Sequence, residues 1–498
     1  MPNSKEKLIV VSNRLPMTVT KDEAGIWRIN SGSGGLVTAL SPVLRNRGGK
    51  WIGWLGGDEV PPDLDELLAR GSAESGYQLL PVELTPPEIE GYYTGFSNSM
   101  LWMLFHDFPS LCNFEPAFWP IYQQVNQKFA EAAAANSRPQ DYIWVHDYHL
   151  LLVAAKLRAM SVNRRVGFFL HTPFPPIDSF LKMPWRADIL QGMLEYDLLG
   201  FQTIRDMRNF LQCVRMLIPK TTVEGARTVV TVKTPHRQLR VGAFPISIDF
   251  RDFVRRAARE EVTQEVQRIN EHVADKKFML GIDRLDYSKG IPLRLRAFSD
   301  ALDLYPELRG KIVFLQVVIP SRLDGERYQT LKNEIDRLIG FINGKYSESG
   351  WTPVNYLFRS LTENELLAYY RRSDIALVTP LKDGMNLIAK EYSACSLDDN
   401  GVLILSEFAG AAAQMRDDAL LVNPFDIRGV AAAIHQAFHM PLAERRRRMR
   451  SLRRLILRQN VFRWVDSFLE AAIARRIKDF PQATEYVPLL YPTPASAV

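Results

Sequence analysis

Short apolar runs, rich in β-branched and aromatic residues, alternate with longer helical patterns along almost the whole chain. This alternation constrains the fold more than any other feature. Strands joined by helix-length connections pair in parallel, and a parallel sheet must be covered by helices on both faces. In the first half, Leu8–Val11, Tyr142–Val145, Val166–Leu170, Leu198–Phe201 and Val229–Val232 read as buried strands. Helices are expected between them at Leu150–Met160, Asp178–Tyr196 and Thr203–Leu217. The second half repeats the theme with strands at Phe278–Ile282, Ile312–Val318, Val354–Phe358, Ile375–Val378, Gly401–Leu405 and Ala419–Val422. Its helices are expected at Pro292–Leu304, Glu326–Asn343, Glu363–Arg372 and Leu387–Ala394. The halves meet near Pro245-Ile246-Ser247. The expected fold is α/β, with one doubly wound domain over 1–246 and a second over 247–465. Residues 466–498 then supply a helix that crosses back to the first domain, within the helical stretch Val461 to Ile477, and a mobile tail. A chain of 498 residues suits this division.

Composition narrows the function classes. Lys+Arg exceed Asp+Glu by only 6, an excess too small to mark a dedicated nucleic-acid binder. Cys112, Cys213 and Cys395 are odd in number and far apart, so neither a disulfide framework nor a CxxC metal site is present in the sequence. No apolar leader core follows Met1, and no stretch approaches the ~20 apolar residues of a membrane span. A cytoplasmic protein with no membrane contact is expected.

In open α/β sheets, ligands bind beyond the carboxyl ends of the strands, and the polar motifs lie there. Val11-Ser12-Asn13-Arg14 ends the first strand, and Ser31-Gly32-Ser33-Gly34-Gly35 precedes a helix pattern. Glycines before a helix let backbone N–H groups approach a phosphate, although this spacing is not GxGxxG and also fits a plain turn. Trp144-Val145-His146-Asp147-Tyr148-His149 ends another strand; its histidines serve ligand contacts or local packing. His171 opens a proline-stiffened loop, Thr172 to Pro176, where it can meet a sugar or simply cap the strand. Asp283-Arg284-Leu285-Asp286-Tyr287-Ser288-Lys289-Gly290 puts two cations on one strand-end loop. They can hold a diphosphate, or pair with Asp283 and Asp286. Thr379 to Glu391 runs from a strand end through a Gly turn into a helix start near Asn386, with Asp383 in the turn and Glu391 one turn on. His435 and His439 have the i,i+4 spacing of a zinc helix but lack the Glu of HExxH, so they read as ordinary helix positions. In Glu444 to Ile456, Met449, Leu452, Leu455 and Ile456 recur at helical spacing, so the arginines form the solvated face of an amphipathic helix.

Taken together, these strings resemble the trehalose-6-phosphate synthase family of retaining glycosyltransferases, glycosyltransferase family 20. The carriers are VVSNRLP at 10–16, SGGL at 33–36, YYTGFSNSMLW at 92–102, WVHDYHLL at 144–151, GFFLHTPFP at 167–175, RLDYSKG at 284–290, TPLKDGMNLIAKEY at 379–392 and GVLILSEFAGAA at 401–412. The resemblance spans Leu8 to about Phe468. It implies the GT-B fold, two Rossmann-like domains facing across a cleft, the N-terminal one for acceptor and the C-terminal one for donor. It implies transfer of glucose from UDP-glucose to glucose 6-phosphate, giving α,α-trehalose 6-phosphate. The donor base stays open, because some members of the family use other nucleotides.

Carried over by position, Gly34 and Gly35 would approach the donor diphosphate and Arg284 and Lys289 would clamp it. Leu387, Ile388, Ala389, Lys390 and Glu391 would hold phosphates by the helix start and ribose by the carboxylate. Asp383 would take glucose hydroxyls, His171 would contact the transferring sugar, and Leu361 would contribute backbone where some members carry an aromatic. Arg14, Tyr93, Trp102, Asp147 and Arg322 would hold the acceptor, the two arginines on its phosphate. Relatives that use glycerol derivatives as acceptor lack the VSNR and SGGL strings, which favours a sugar phosphate. No DxD pair stands out, so a metal-free, front-face mechanism without cofactor is implied, with cations and helix-start N–H groups meeting the leaving charge. Such donors are worth about 3–4 kcal/mol each. Nucleic-acid partners are not expected, and a homo-oligomer (dimer or tetramer) is left open.

Overall fold

The computed structural model describes residues 7–21, 27–31, 35–57, 59, 61–225, 228–273, 275–321 and 326–473. They divide into two compact units. The first runs to Ile246 and includes the helix Val461–Ile473; the second is Ser247–Asn460.

The first unit is built on a nine-stranded sheet. Leu8–Arg14 is the third strand from one edge, parallel to Gly49–Trp54 on one side and Tyr142–His146 on the other. Beyond Gly49–Trp54 comes Gln78–Pro81; beyond Tyr142–His146 come Arg165–Phe169, Leu198–Phe201 and Gln238–Ala243, all parallel. The chain therefore builds outward from Leu8–Arg14 in one direction and then restarts on its other side, which puts a topological switch point between Leu8–Arg14 and Tyr142–His146.

Three expectations need correction here. Val229–Val232 is a strand, but Val229–Lys233 pairs antiparallel with Gln238–Ala243, because a tight hairpin and not a helix joins the two. The expected helix Asp178–Tyr196 is broken into Ile177–Phe180 and Arg186–Leu194, with Pro184 between them. The domain boundary at 465 falls inside the helix Val461–Ile473, since Val461, Trp464, Val465 and Phe468 form one buried face. That face packs on the sheet. Phe468 stacks on Trp144 (centroids 4.4 Å, 12°), and a Cβ on Gly200 would lie 2.7 Å from Phe468 Cε2, so the helix seats only because the strand is bare there. The mobile-tail expectation falls on residues outside those described.

The second unit has a six-stranded, fully parallel sheet in the order Val354–Phe358, Ile312–Ile319, Lys277–Arg284, Ile375–Val378, Val402–Ser406, Leu420–Val422. Here the switch point lies between Lys277–Arg284 and Ile375–Val378. The helix Leu442–Arg458 buries Met449, Leu452 and Ile456, and its arginines find acids: Arg447 pairs with Asp418, and Arg450 and Arg453 with Asp399.

Candidate active site

In the first unit the switch point is where the predicted acceptor residues gather. Ser12 Oγ donates to the Arg14 carbonyl and accepts from Trp51 Nε1, and Asn13 Oδ1 accepts from the Tyr92 hydroxyl. These bonds lock the strand end and push the Arg14 side chain outward. The exposed guanidinium lies over Trp54 (5.0 Å to the ring centroid) and Tyr93 (5.1 Å). A cation held against two aromatic faces keeps its donors free to fan toward an anion. Tyr93 in turn stacks on His149 (5.9 Å, 13°).

Tyr93 belongs to a π-helical stretch, Ile89–Leu101, that runs into the short helix Trp102–Phe105. Wide turns of this kind recur at functional sites. Trp102 is nearly buried against His106 (4.0 Å) and Tyr148 (5.7 Å), and the Tyr148 hydroxyl donates to Asn98 Oδ1.

Asp147 sits at φ +72°, a left-handed conformation costly for a residue with a Cβ. Its N–H bonds the Phe169 carbonyl, and its Oδ1 accepts from the His171 N–H (3.2 Å), which joins two strand ends. His171 Nε2 lies 3.1 Å from His146 Nδ1. Burial pushes His171 down to about 3 and His146 well below the ordinary value, so both rings are neutral at physiological pH. Arg14, Tyr93 and Trp102 are thus linked through His149 and Tyr148, and Asp147 holds His171, whose ring meets His146. Gly35 opens the helix Gly35–Arg47, whereas Gly34 and Arg322 lie outside the described residues.

In the second unit, Lys277–Arg284 ends with exposed Arg284, and a tight turn, Tyr287–Lys289, follows. Asp286 Oδ1 accepts from the Ser288 N–H and hydroxyl, and Gly290 at φ +64° brings the chain against the Thr379 carbonyl, where a Cβ would come within 2.8 Å. This closeness carries Lys289 to the neighbouring strand end. Its Nζ meets Asp383 Oδ2 at 2.5 Å. Burial opposes the ammonium, but Asp383 and Asp283 outweigh it and raise the Lys289 pKa. Asp283 pairs with fully buried Arg294 (2.7 Å), which also bonds Thr379 Oγ1.

Asp383 is oriented from three sides. Its carboxylate takes the Met385 N–H (3.3 Å) and Asn386 Nδ2 (3.2 Å), and its own N–H bonds the Phe408 carbonyl. Asn386, at φ +73°, caps the helix Leu387–Cys395 by accepting from the Ala389 N–H. The N–H groups of Leu387 and Ile388 therefore head the helix without helical partners, an arrangement that suits an anion. One turn on, Glu391 accepts from the Tyr370 hydroxyl, and burial raises its carboxyl pKa. The Lys390 ammonium turns away to Gln414 Oε1 (2.8 Å), and burial lowers it to about 7. Leu361 lies half-buried in the loop after Val354–Phe358, just before the capping box of Thr362 and Glu365.

Sequence reasoning missed Trp54, His146 as partner of His171, Tyr370 and Arg294. Only Arg294 left a signal, a charge on the apolar face of its helix; the others become visible when strands are laid side by side.

A model of glycosyltransferase family 20 matches residues 6–474. A trehalose-6-phosphate synthase of Mycobacterium marinum is 44% identical over 483 residues, 96% of each chain. The corresponding protein of Mycobacterium tuberculosis is 44% identical over 470 residues, 93% of this chain and 94% of its own. Among solved structures, an α,α-trehalose-phosphate synthase (UDP-forming) from Burkholderia xenovorans in complex with glucose 6-phosphate superposes with a TM-score of 0.84 at 35% identity, covering 94% of this chain and 99% of that one. A structure from E. coli bound with UDP-2-fluoro glucose gives 0.83 at 34% identity, with the same coverage.

Proposed function

The chain belongs to glycosyltransferase family 20, and from that premise we propose that it is a retaining glucosyltransferase that moves glucose from UDP-glucose to glucose 6-phosphate, releasing UDP and α,α-trehalose 6-phosphate. It has the GT-B fold, two doubly wound α/β units.

The observation that carries the assignment of roles is that each unit gathers its charged strand-end groups at its own topological switch point. In the first unit, Arg14 takes the acceptor phosphate while Tyr93, Trp102 and Asp147 shape and orient the sugar. His171 offers a neutral ring to a sugar hydroxyl. In the second unit, Arg284, Lys289 and the helix start at Leu387 and Ile388 take the donor diphosphate. Glu391 takes the ribose, Asp383 the glucose hydroxyls, and Leu361 contributes backbone. As the glycosidic bond to the diphosphate breaks, negative charge grows on the departing oxygen. Preorganised cations and N–H groups stabilise that charge without reorganising. The same oxygen accepts the proton of the attacking hydroxyl, so the new bond forms on the face the leaving group vacates and configuration is retained.

A cytoplasmic setting belongs to the same reading. Cys112, Cys213 and Cys395 form no disulfide, which fits a reducing compartment, and no helix among the described residues is long and apolar enough to cross a membrane. The test is incubation of purified protein with glucose 6-phosphate and a panel of nucleotide sugars, with the product identified by NMR. An α,α-1,1-linked disaccharide phosphate formed fastest from UDP-glucose is expected. No disaccharide from any donor, or a different linkage, overturns the assignment.

A further inference from the structure

His435 and His439 stand one turn apart at the end of the helix Ile427–His439. In sequence they lack a third ligand. The fold supplies one from 128 residues away: Glu307, in the turn Pro306–Leu308. Its Oε1 lies 2.9 Å from His435 Nε2 and 3.9 Å from His439 Nε2, and the three ligand atoms all lie within 4.8 Å of one another. We propose that Glu307, His435 and His439 form a divalent-metal site for Zn²⁺ or a similar borderline transition-metal ion, separate from the transfer chemistry.

The donor set selects the ion class. Two imidazole nitrogens and one carboxylate oxygen suit zinc, cobalt or nickel; magnesium and calcium prefer all-oxygen shells. Tetrahedral ligands on zinc sit about 3.3 Å apart, given bonds of about 2.0–2.1 Å, so small side-chain rotations suffice to close the site. Partial exposure of Glu307 and His439 leaves the fourth position to water.

The surroundings hold these groups ready. Tyr305 stacks on the His435 ring (4.0 Å, 15°) and fixes its plane. Pro306 stiffens the turn that carries Glu307. The nearby cation Arg309 is engaged with the Leu302 carbonyl and Asp303, so it does not claim the Glu307 carboxylate. His439 is the last residue of its helix, where the backbone dipole favours a positive charge.

On binding, the imidazole carries its proton on Nδ1, so the lone pairs of His435 Nε2 and Glu307 Oε1, which face each other at 2.9 Å, both turn to the metal. The ion then braces the turn Pro306–Leu308 to the helix Ile427–His439.

The test uses the untagged full chain, stripped with EDTA and titrated with Zn²⁺ by calorimetry, together with Co²⁺ absorption. One equivalent should bind, with a tetrahedral cobalt spectrum, and Mg²⁺ should not compete. Losing a group that merely orients a ligand costs ~10–100-fold in metal affinity, so Glu307→Gln, His435→Asn and His439→Ala should each lose at least as much. Zn²⁺ should raise the melting temperature of the wild type and not of the variants, while the metal-free variants melt with metal-free wild type. Transfer rates should be the same with and without the ion. Absence of micromolar Zn²⁺ binding, or unchanged binding in all three variants, overturns the proposal. A variant whose metal-free melting point drops is set aside in favour of His439→Ala, the most exposed of the three.

Discussion

Replacing Lys289 by Met should separate two roles that this side chain combines. Its ammonium faces the leaving diphosphate in the proposed mechanism, and it also neutralises Asp383 at 2.5 Å. Removing one preorganised donor aimed at developing charge costs about 2.7–4 kcal/mol, or 10²–10³ in kcat. Breaking a buried ion pair by deleting one partner costs about 3–5 kcal/mol. Here the side chains retain 12% and 16% exposure, and Asp383 keeps the Met385 N–H and Asn386 Nδ2. The stability cost should therefore fall to about 2–3 kcal/mol, which for a domain of roughly 200 residues lowers the melting temperature by about 4–12 °C. The double variant Lys289→Met/Asp383→Asn removes both charges and should melt within a few degrees of wild type, because no buried charge is left unpaired. Its kcat should stay as low as that of the single variant. The assay is UDP release under saturating substrates, with melting curves on the same samples. If kcat recovers along with stability in the double variant, the loss came from an unpaired Asp383, and Lys289 does not face the leaving group.

Arg14→Ala should raise KM for glucose 6-phosphate about 10–100-fold, the worth of a charge-assisted hydrogen bond, and weaken discrimination against glucose while leaving the donor KM unchanged; unchanged phosphate preference in paired KM series would move the acceptor phosphate elsewhere. Below pH 6.5 the unfolded chain protonates His171 while the folded chain holds it neutral down to about 3. The unfolded state then binds more protons, so stability falls as pH drops through that window, by no more than about 5 kcal/mol from this group; urea midpoints against pH should show the slope in wild type and a smaller one in His171→Gln. Gly200→Ala puts a Cβ 2.7 Å from both Phe169 and Phe468, so overpacking should cost about 1–3 kcal/mol, read as a lowered melting temperature with kcat retained in the folded protein.

Sequence alone carried the fold class a long way, because apolar runs and helical periods are local signals. The six strands of the second sheet lie where runs such as Phe278–Ile282 and Ile375–Val378 predicted them, and the motif strings named the family, which the matches over residues 6–474 then bore out. It could not order those strands, since sheet order is decided by which faces pack and not by the run itself. Nor did it show the edge hairpin of the first sheet, of which only Val229–Val232 reads as a strand, or the strands Gly49–Trp54 and Gln78–Pro81, which are short and carry Gly53 and Pro81. At the site, sequence picked out charged residues at strand ends. Only the tertiary structure chose their partners: Lys289 with Asp383, 94 residues away; His171 with His146; Arg14 with Trp54 and Tyr93; Glu391 with Tyr370. Glu307 joins His435 for the same reason. A side chain's chemistry is written in its residue type, but its pKa, orientation and partner follow from what distant segments bring within about 4 Å, where Coulomb and hydrogen-bond energies become large.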